Sequence, residues 1–133
     1  MDKGEIRILV RAPNWLGDAI MGLPFLENLR YIYPQAHIGI WCKSHLRTLF
    51  KAYSKIDQVI IYPNSVFSLL RSCLKLRYFS ACILLPNSFS SALSAFFTGI
   101  PQRIGYATDG RDLLLTQRYP PPEQEALHQI DYY

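Results

Sequence analysis

Short apolar runs alternate with longer amphipathic segments along most of the chain, and this alternation limits the fold more than any other feature. Ile6 to Val10, His37 to Trp41, Gln58 to Tyr62, Ala81 to Leu85 and Arg103 to Tyr106 read as five strands. Between them the apolar spacing is helical. Ile20, Leu23, Phe25, Leu26, Leu29 and Ile32 form the inward stripe of a helix over Ala19 to Tyr33, which Pro34 ends. Pro24 leaves two readings: the helix begins near Leu23 with Pro24 in its first turn, or it begins at Asp18 and kinks. Ser44 is a candidate cap for a helix turning Leu46, Leu49, Phe50 and Tyr53 inward. Asn64 or Ser65 caps one turning Leu69, Leu70, Cys73 and Leu74 inward. After Pro86-Asn87-Ser88, a helix carries Phe89, Ala92, Leu93, Phe96 and Phe97, and Gly99 with Pro101 closes it. Ala81 to Leu85 is apolar throughout, as a central parallel strand is. The pattern predicts an α/β fold, a parallel sheet with helices on both faces. Pro120-Pro121-Pro122 then breaks the chain, and Glu123 to Tyr133 opens another helix.

The 133 residues suit one domain with its own core. Fourteen Lys+Arg against ten Asp+Glu leave a formal +4, which permits an anionic partner without naming it. The basic residues are scattered, the aromatics fall on apolar faces and no nucleic-acid module signature appears, which argues against a nucleic-acid partner. Cys42, Cys73 and Cys82 are widely spaced in apolar contexts, so they read as buried free thiols of a reducing compartment and not as zinc ligands. The charged start Met-Asp-Lys-Gly-Glu is not a signal peptide, and no apolar run approaches the roughly 20 residues of a membrane span. The expected location is the cytoplasm, with contact to the inner face of a membrane open. Lys43, Arg47 and Lys51 form one helical line, Arg71 and Lys75 another; such lines are wet helix faces or attract an anionic leaflet.

The stretch from Ile8 to Phe25 holds the chemistry. An apolar strand ends in Pro13-Asn14, then Gly17-Asp18, then an amphipathic segment. Ligands of open α/β sheets bind just beyond the carboxyl ends of the strands, so Asp18 stands at a cleft rim. Two readings of it weigh equally: a carboxylate that takes a proton from a substrate, or a cap for the helix that follows. Gly17 reads as the permissive residue of a tight strand-to-helix turn. No Gly-x-Gly-x-x-Gly or Walker-type motif is present, which argues against nucleotide binding by this domain alone. His37 and His45 have no partner pattern for a metal, and no metal or cofactor is expected.

Three segments taken together carry a family resemblance. They are Arg11-Ala-Pro-Asn-Trp-Leu-Gly-Asp18-Ala with Leu23-Pro24; Leu85-Pro-Asn-Ser-Phe-Ser-Ser-Ala-Leu93 followed by Gly99-Ile-Pro-Gln-Arg-Ile-Gly-Tyr106; and His128-Gln-Ile-Asp-Tyr-Tyr133. In this order and spacing they resemble the bacterial ADP-heptose:lipopolysaccharide heptosyltransferases, the second heptosyltransferase more than the first. The resemblance implies a Rossmann-like domain forming the N-terminal half of a GT-B glycosyltransferase. Residues 1–133 would be the acceptor-side domain, and the donor-binding C-terminal domain would lie outside this chain, leaving the fragment inactive alone. The partners implied are an ADP-heptose donor and a Kdo-lipid A or heptosylated core acceptor. Asp18 matches the family's general base. Asn14 and Trp15 are placed to line the acceptor pocket, Trp15 alternatively covering the core edge. Asn87 and Ser88 lie on the same rim, as acceptor contacts or as a helix cap. Arg103 and Arg111, with Arg118 nearby, would hold acidic Kdo or phosphate groups, for which Arg is geometrically suited; each is otherwise a solvated surface residue. The competing function is a non-catalytic flavodoxin-like module that binds an anionic ligand.

Overall fold

Six strands form one sheet in the order β3-β2-β1-β4-β5-β6, and every neighbouring pair is parallel. They are β1 (Arg7–Arg11), β2 (His37–Cys42), β3 (Gln58–Ile61), β4 (Ala81–Leu84), β5 (Gln102–Tyr106) and β6 (Gln117–Tyr119). The computed structural model describes residues 6–63, 65–86, 89–106 and 115–119. The expected parallel α/β sheet is present, with one more strand than the sequence pattern predicted. β6 is only three residues long, Gln-Arg-Tyr, and carries no apolar run to announce it.

The helices are α1 (Leu16–Met21), α2 (Leu23–Ile32), α3 (Arg47–Lys51), α4 (Val66–Leu74) and α5 (Phe89–Phe97), with a single 3-10 turn at Ser44–Leu46. They cover both faces. Ile8, Val10 and Ala12 of the first strand and its end pack with Ala19, Leu26, Leu29, Leu46 and Phe50 on one side. Leu9, alternating to the other side, packs with Trp41, Cys73, Phe79, Ala92 and Ala95. All three cysteines are buried and unbonded to one another, and burial pushes the thiols of Cys42 and Cys82 up to about 11 and about 12.

Several local expectations are corrected. The helix read over Ala19 to Tyr33 is two helices joined at Gly22, and of the two readings of Pro24 the first holds: α2 begins at Leu23 with Pro24 in its first turn. Ile20 and Ile32, read as inward, are exposed, as are Leu70, Leu74, Phe96 and Phe97. On α4 the other two residues read as inward, Leu69 and Cys73, do face the core, followed by Leu76. Ser44 caps nothing and lies inside the 3-10 turn. Ser65 does cap α4, accepting from the Ser68 amide. Gly99 closes α5 with φ +77°, a left-handed conformation that favours glycine.

A clamp at the amino edge of the sheet went unread in the sequence. Arg30 donates to the carbonyls of Lys55, Pro34 and Ala36 and meets Asp57 Oδ2 at 2.6 Å; the same oxygen accepts from the Ile38 amide. Burial alone raises the Asp57 carboxyl, but the Ile38 amide and the Arg30 guanidinium, with His37 nearby, outweigh it and hold it below its ordinary value. A depressed carboxylate contributes stability above its unfolded value that is lost as pH falls through its folded value. Arg30→Ala is therefore expected to cost about 1–2 kcal/mol at neutral pH, modest because Asp57 is partly exposed. Urea midpoints measured from pH 7 down to pH 3 should fall less steeply in the variant than in the parent. Parallel slopes would remove Asp57 from the acid response.

Candidate functional site

The strand order places one crevice above all others. From β1 the chain runs outward to β2 and β3; from β4 it runs the opposite way to β5 and β6. The reversal lies between β1 and β4, whose carboxyl ends meet at Arg11 opposite Leu84. This order is that of the dinucleotide-binding sheets, and ligands of such sheets sit outside the carboxyl ends at the reversal. The loop carrying Asn14 and Trp15 leaves β1 at this point and leads into α1, which holds Gly17. Asn87 and Ser88 follow β4 and lie outside the described residues, as does Arg111.

Asp18 is half-buried in the first turn of α1. It is not a cap. Trp15 occupies the cap position with extended backbone, and no side chain closes the helix start. Among the described residues nothing hydrogen-bonds or ion-pairs with the Asp18 carboxylate. The capping alternative is thus removed, and a carboxylate with unengaged acceptor capacity stands at the crevice.

Gly17 also departs from expectation. It lies inside α1 with no left-handed backbone, and a Cβ added there meets nothing within 4 Å. The fold does not require this glycine, so the tight-turn explanation fails. Trp15 covers no core edge: it is 73% exposed, and its neighbour Leu16 is exposed too.

The loop is held from beneath by a residue the sequence reading passed over. Arg11 is 2% exposed. Its Nη2 donates to Asn14 Oδ1 at 2.8 Å, and its Nη1 to the carbonyls of Ala12 and Trp41. The guanidinium lies 4.0 Å from the Tyr62 ring centre, and Lys43 Nζ stands 4.9 Å from the same ring. His45 Nε2 meets the Asn14 carbonyl at 2.8 Å. Burial pulls the Arg11 guanidinium below its ordinary value, against Tyr62, Cys82 and Cys42, yet an Arg stays protonated. No carboxylate pairs with it among the described residues, and its Nε, like Trp41 Nε1, has no acceptor. A positive charge is thus buried under the loop, with Asn14 spent on holding it. The signal was present as an Arg closing an apolar run, but the strand was read as ending at Val10.

Arg103 is not brought to this rim. It sits opposite Cys82, two register steps below the Arg11–Leu84 level, and its Nη1 donates to the Ile100 carbonyl beside the Phe96 ring. No group of three metal-binding side chains converges among the described residues.

No family model matches the chain. It is 33% identical over 117 residues to lipopolysaccharide heptosyltransferase 2 of Escherichia coli K12, a match covering 83% of this chain and 34% of that protein. The solved structure of E. coli ADP-heptose lps heptosyltransferase II superposes with a TM-score of 0.77 at 31% identity, over 85% of this chain and 34% of that one. This chain resembles part of a heptosyltransferase. It spans about a third of the length of the heptosyltransferases it matches. The fold is shared more widely: the glycosyl transferase family 9 structure from Veillonella parvula reaches a TM-score of 0.85 at 21% identity, over 96% of this chain and 38% of that one.

Proposed function

We propose that this chain is the acceptor-side half of a heptosyltransferase. It holds a sugar hydroxyl of a lipopolysaccharide inner core while heptose leaves ADP-heptose, which is bound mainly by a second domain outside the matched third. Asp18 takes the proton of the attacking hydroxyl. The observation that carries this reading is the Asp18 carboxylate, standing at the β1/β4 reversal without a capping or ion-pairing duty. Proton transfer requires a base with free acceptor capacity within hydrogen-bond reach of the hydroxyl. Asn14 fixes the loop from below, Trp15 offers an exposed ring for a sugar face, and Gly17 leaves room for the acceptor. Asn87 and Ser88, which follow β4 in sequence, are further candidates for acceptor contact. Arg103, turned to the Ile100 carbonyl, is left out of the set.

The open space at Gly17 yields a test that separates function from fold. Gly17→Ala adds a methyl to the helix surface where nothing of the chain is met, so stability is unchanged or rises by up to about 1 kcal/mol. The KM for the acceptor is expected to rise about tenfold, the equivalent of about 1.4 kcal/mol. An unchanged KM beside an unchanged thermal midpoint would leave Gly17 without a part in acceptor binding. The activity itself is read as ADP release from ADP-heptose by this chain joined to the donor-binding second domain, with and without a Kdo-lipid A acceptor bearing one heptose. Release that requires acceptor is the expected result.

A second reading has an observation of its own. The unpaired cation of Arg11 under the rim suits any anionic ligand, with or without chemistry. The chain joined to the donor-binding second domain that, when folded, binds the acceptor yet releases no ADP, with binding unaltered by Asp18→Asn, would favour that non-catalytic module.

A further inference from the structure

We propose that the outer face of α4, with the adjoining end of α5, docks on an anionic lipid surface. The inference goes beyond the transfer reaction and does not depend on it. α4 is apolar on two sides. Leu69 and Cys73 face the sheet, while Val66, Phe67, Leu70 and Leu74 point outward, 73%, 74%, 46% and 62% exposed. Val66, Leu70 and Leu74 recur every fourth residue, and Phe67 lies beside them, so they form one sector of the helix surface. Arg71 and Lys75 fall on the next sector, both exposed, and the Arg71 guanidinium lies 5.8 Å from the Phe67 ring centre. α5 packs alongside, with Cys73 Sγ donating to the Ser94 carbonyl, and adds exposed Phe96 and Phe97.

Charge decides what such a face fits. Between Asp57 and Asp109 the sequence has no acidic residue, while it has Arg71, Lys75, Arg77 and Arg103. These four account for the whole +4 excess; elsewhere basic and acidic residues balance at ten each. Burying an apolar helix sector edged by long basic side chains, in a stretch of sequence that brings no carboxylate of its own, matches the boundary of a bilayer carrying anionic headgroups. A folded protein gains nothing from four bulky apolar side chains in water, and exposed patches of this kind mark contact surfaces. α4 begins just after the carboxyl end of β3, on the edge of the sheet that holds Asp18, so docking sets the crevice at the lipid surface.

The test is co-sedimentation of the protein with phosphatidylcholine vesicles and with vesicles containing about a third phosphatidylglycerol. Binding is expected to rise with the anionic lipid and to fall with salt. Arg71→Gln and Lys75→Gln should each lower the partition coefficient about fivefold. The pair Phe67→Ser and Leu74→Ser should lower it at least about tenfold, with the thermal midpoint unchanged because both side chains already meet solvent. Equal binding to both vesicle types, or anionic binding untouched by the Phe67/Leu74 pair, would overturn the proposal. So would a self-associating species in lipid-free sedimentation that Phe67→Ser dissolves, since a second copy would then be the occupant.

Discussion

Asp18→Asn is expected to lower the rate of heptosyl transfer by about 10²–10⁴-fold while leaving the fold intact, the range for loss of a positioned base. The change is nearly isosteric, and no described residue loses a hydrogen bond or ion pair through it, because none engages the carboxylate. The Trp15 cap makes no hydrogen bond to that side chain, and losing one carboxylate from the first turn of α1 costs at most about 1 kcal/mol. The loss should fall on kcat and kcat/KM alike, since proton abstraction is felt in the transition state and not in the ground-state complex. An unchanged KM with a collapsed kcat, at an unchanged melting temperature, is the signature. A drop of less than tenfold would mean that the hydroxyl loses its proton elsewhere, and the rim would then be a binding surface only.

The second large effect is on stability and centres on Phe79. Its ring is buried, 1% exposed, against the flat surface left by Gly39 in the middle of β2. Phe79→Ala should cost about 3–5 kcal/mol, the usual loss for emptying a phenyl-sized space in a core. That is a large share of the roughly 5–15 kcal/mol of a whole domain. The reverse change at the same contact is also costly. A Cβ at Gly39 would stand 2.8 Å from Phe79 Cζ and 3.1 Å from Cε1, and a buried ring has little room to retreat. Gly39→Ala should therefore cost about 1–3 kcal/mol by overpacking. The two effects are coupled: with Phe79→Leu in place, Gly39→Ala should cost much less, because the colliding edge of the ring is gone. Urea unfolding of the four species measures this. Additive losses would show that Gly39 and Phe79 do not share one space.

The architecture was readable because its strands are short apolar runs and its helices repeat at 3.6 residues. All five strands read from the sequence match within one residue at either end, and the parallel arrangement follows from the alternation alone. β6 was not readable, since Gln117, Arg118 and Tyr119 pair with β5 through backbone without an apolar pattern. Periodicity also names a stripe without saying which of two neighbouring stripes meets the sheet. Leu70 and Leu74 on α4 were read as inward for this reason, although Leu69, Cys73 and Leu76 face the core. On α5 the small residues Ala92 and Ala95 approach the sheet while the larger Phe96 and Phe97 stay outside, an inversion that hydrophobicity cannot rank.

The site was half legible. Asp18 could be found because a Gly-Asp pair after a first strand must fall at the carboxyl edge, but whether it caps a helix depends on the local backbone. Trp15 takes that position, which no composition rule foretells. Gly17 was explained by a turn it does not make. Arg11 escaped because its role is visible only once β2 and β3 bring Trp41 and Tyr62 beside it from 30 and more positions away in the chain. Arg103 shows what a suggestive segment leaves open: the sequence does not say that this residue lies two register steps from the Arg11–Leu84 level and donates to the Ile100 carbonyl.

The claim that this chain forms the acceptor side is tested most directly by an amide-resolved NMR titration of the labelled chain. One ligand is a Kdo oligosaccharide bearing a single heptose; the other is ADP-heptose. Saturable shifts at Asn14, Trp15, Gly17 and Asp18 with the oligosaccharide, and none there with ADP-heptose, are the predicted result. Shifts of that loop with ADP-heptose and none with the oligosaccharide would place the donor at the β1/β4 crevice and contradict the assignment.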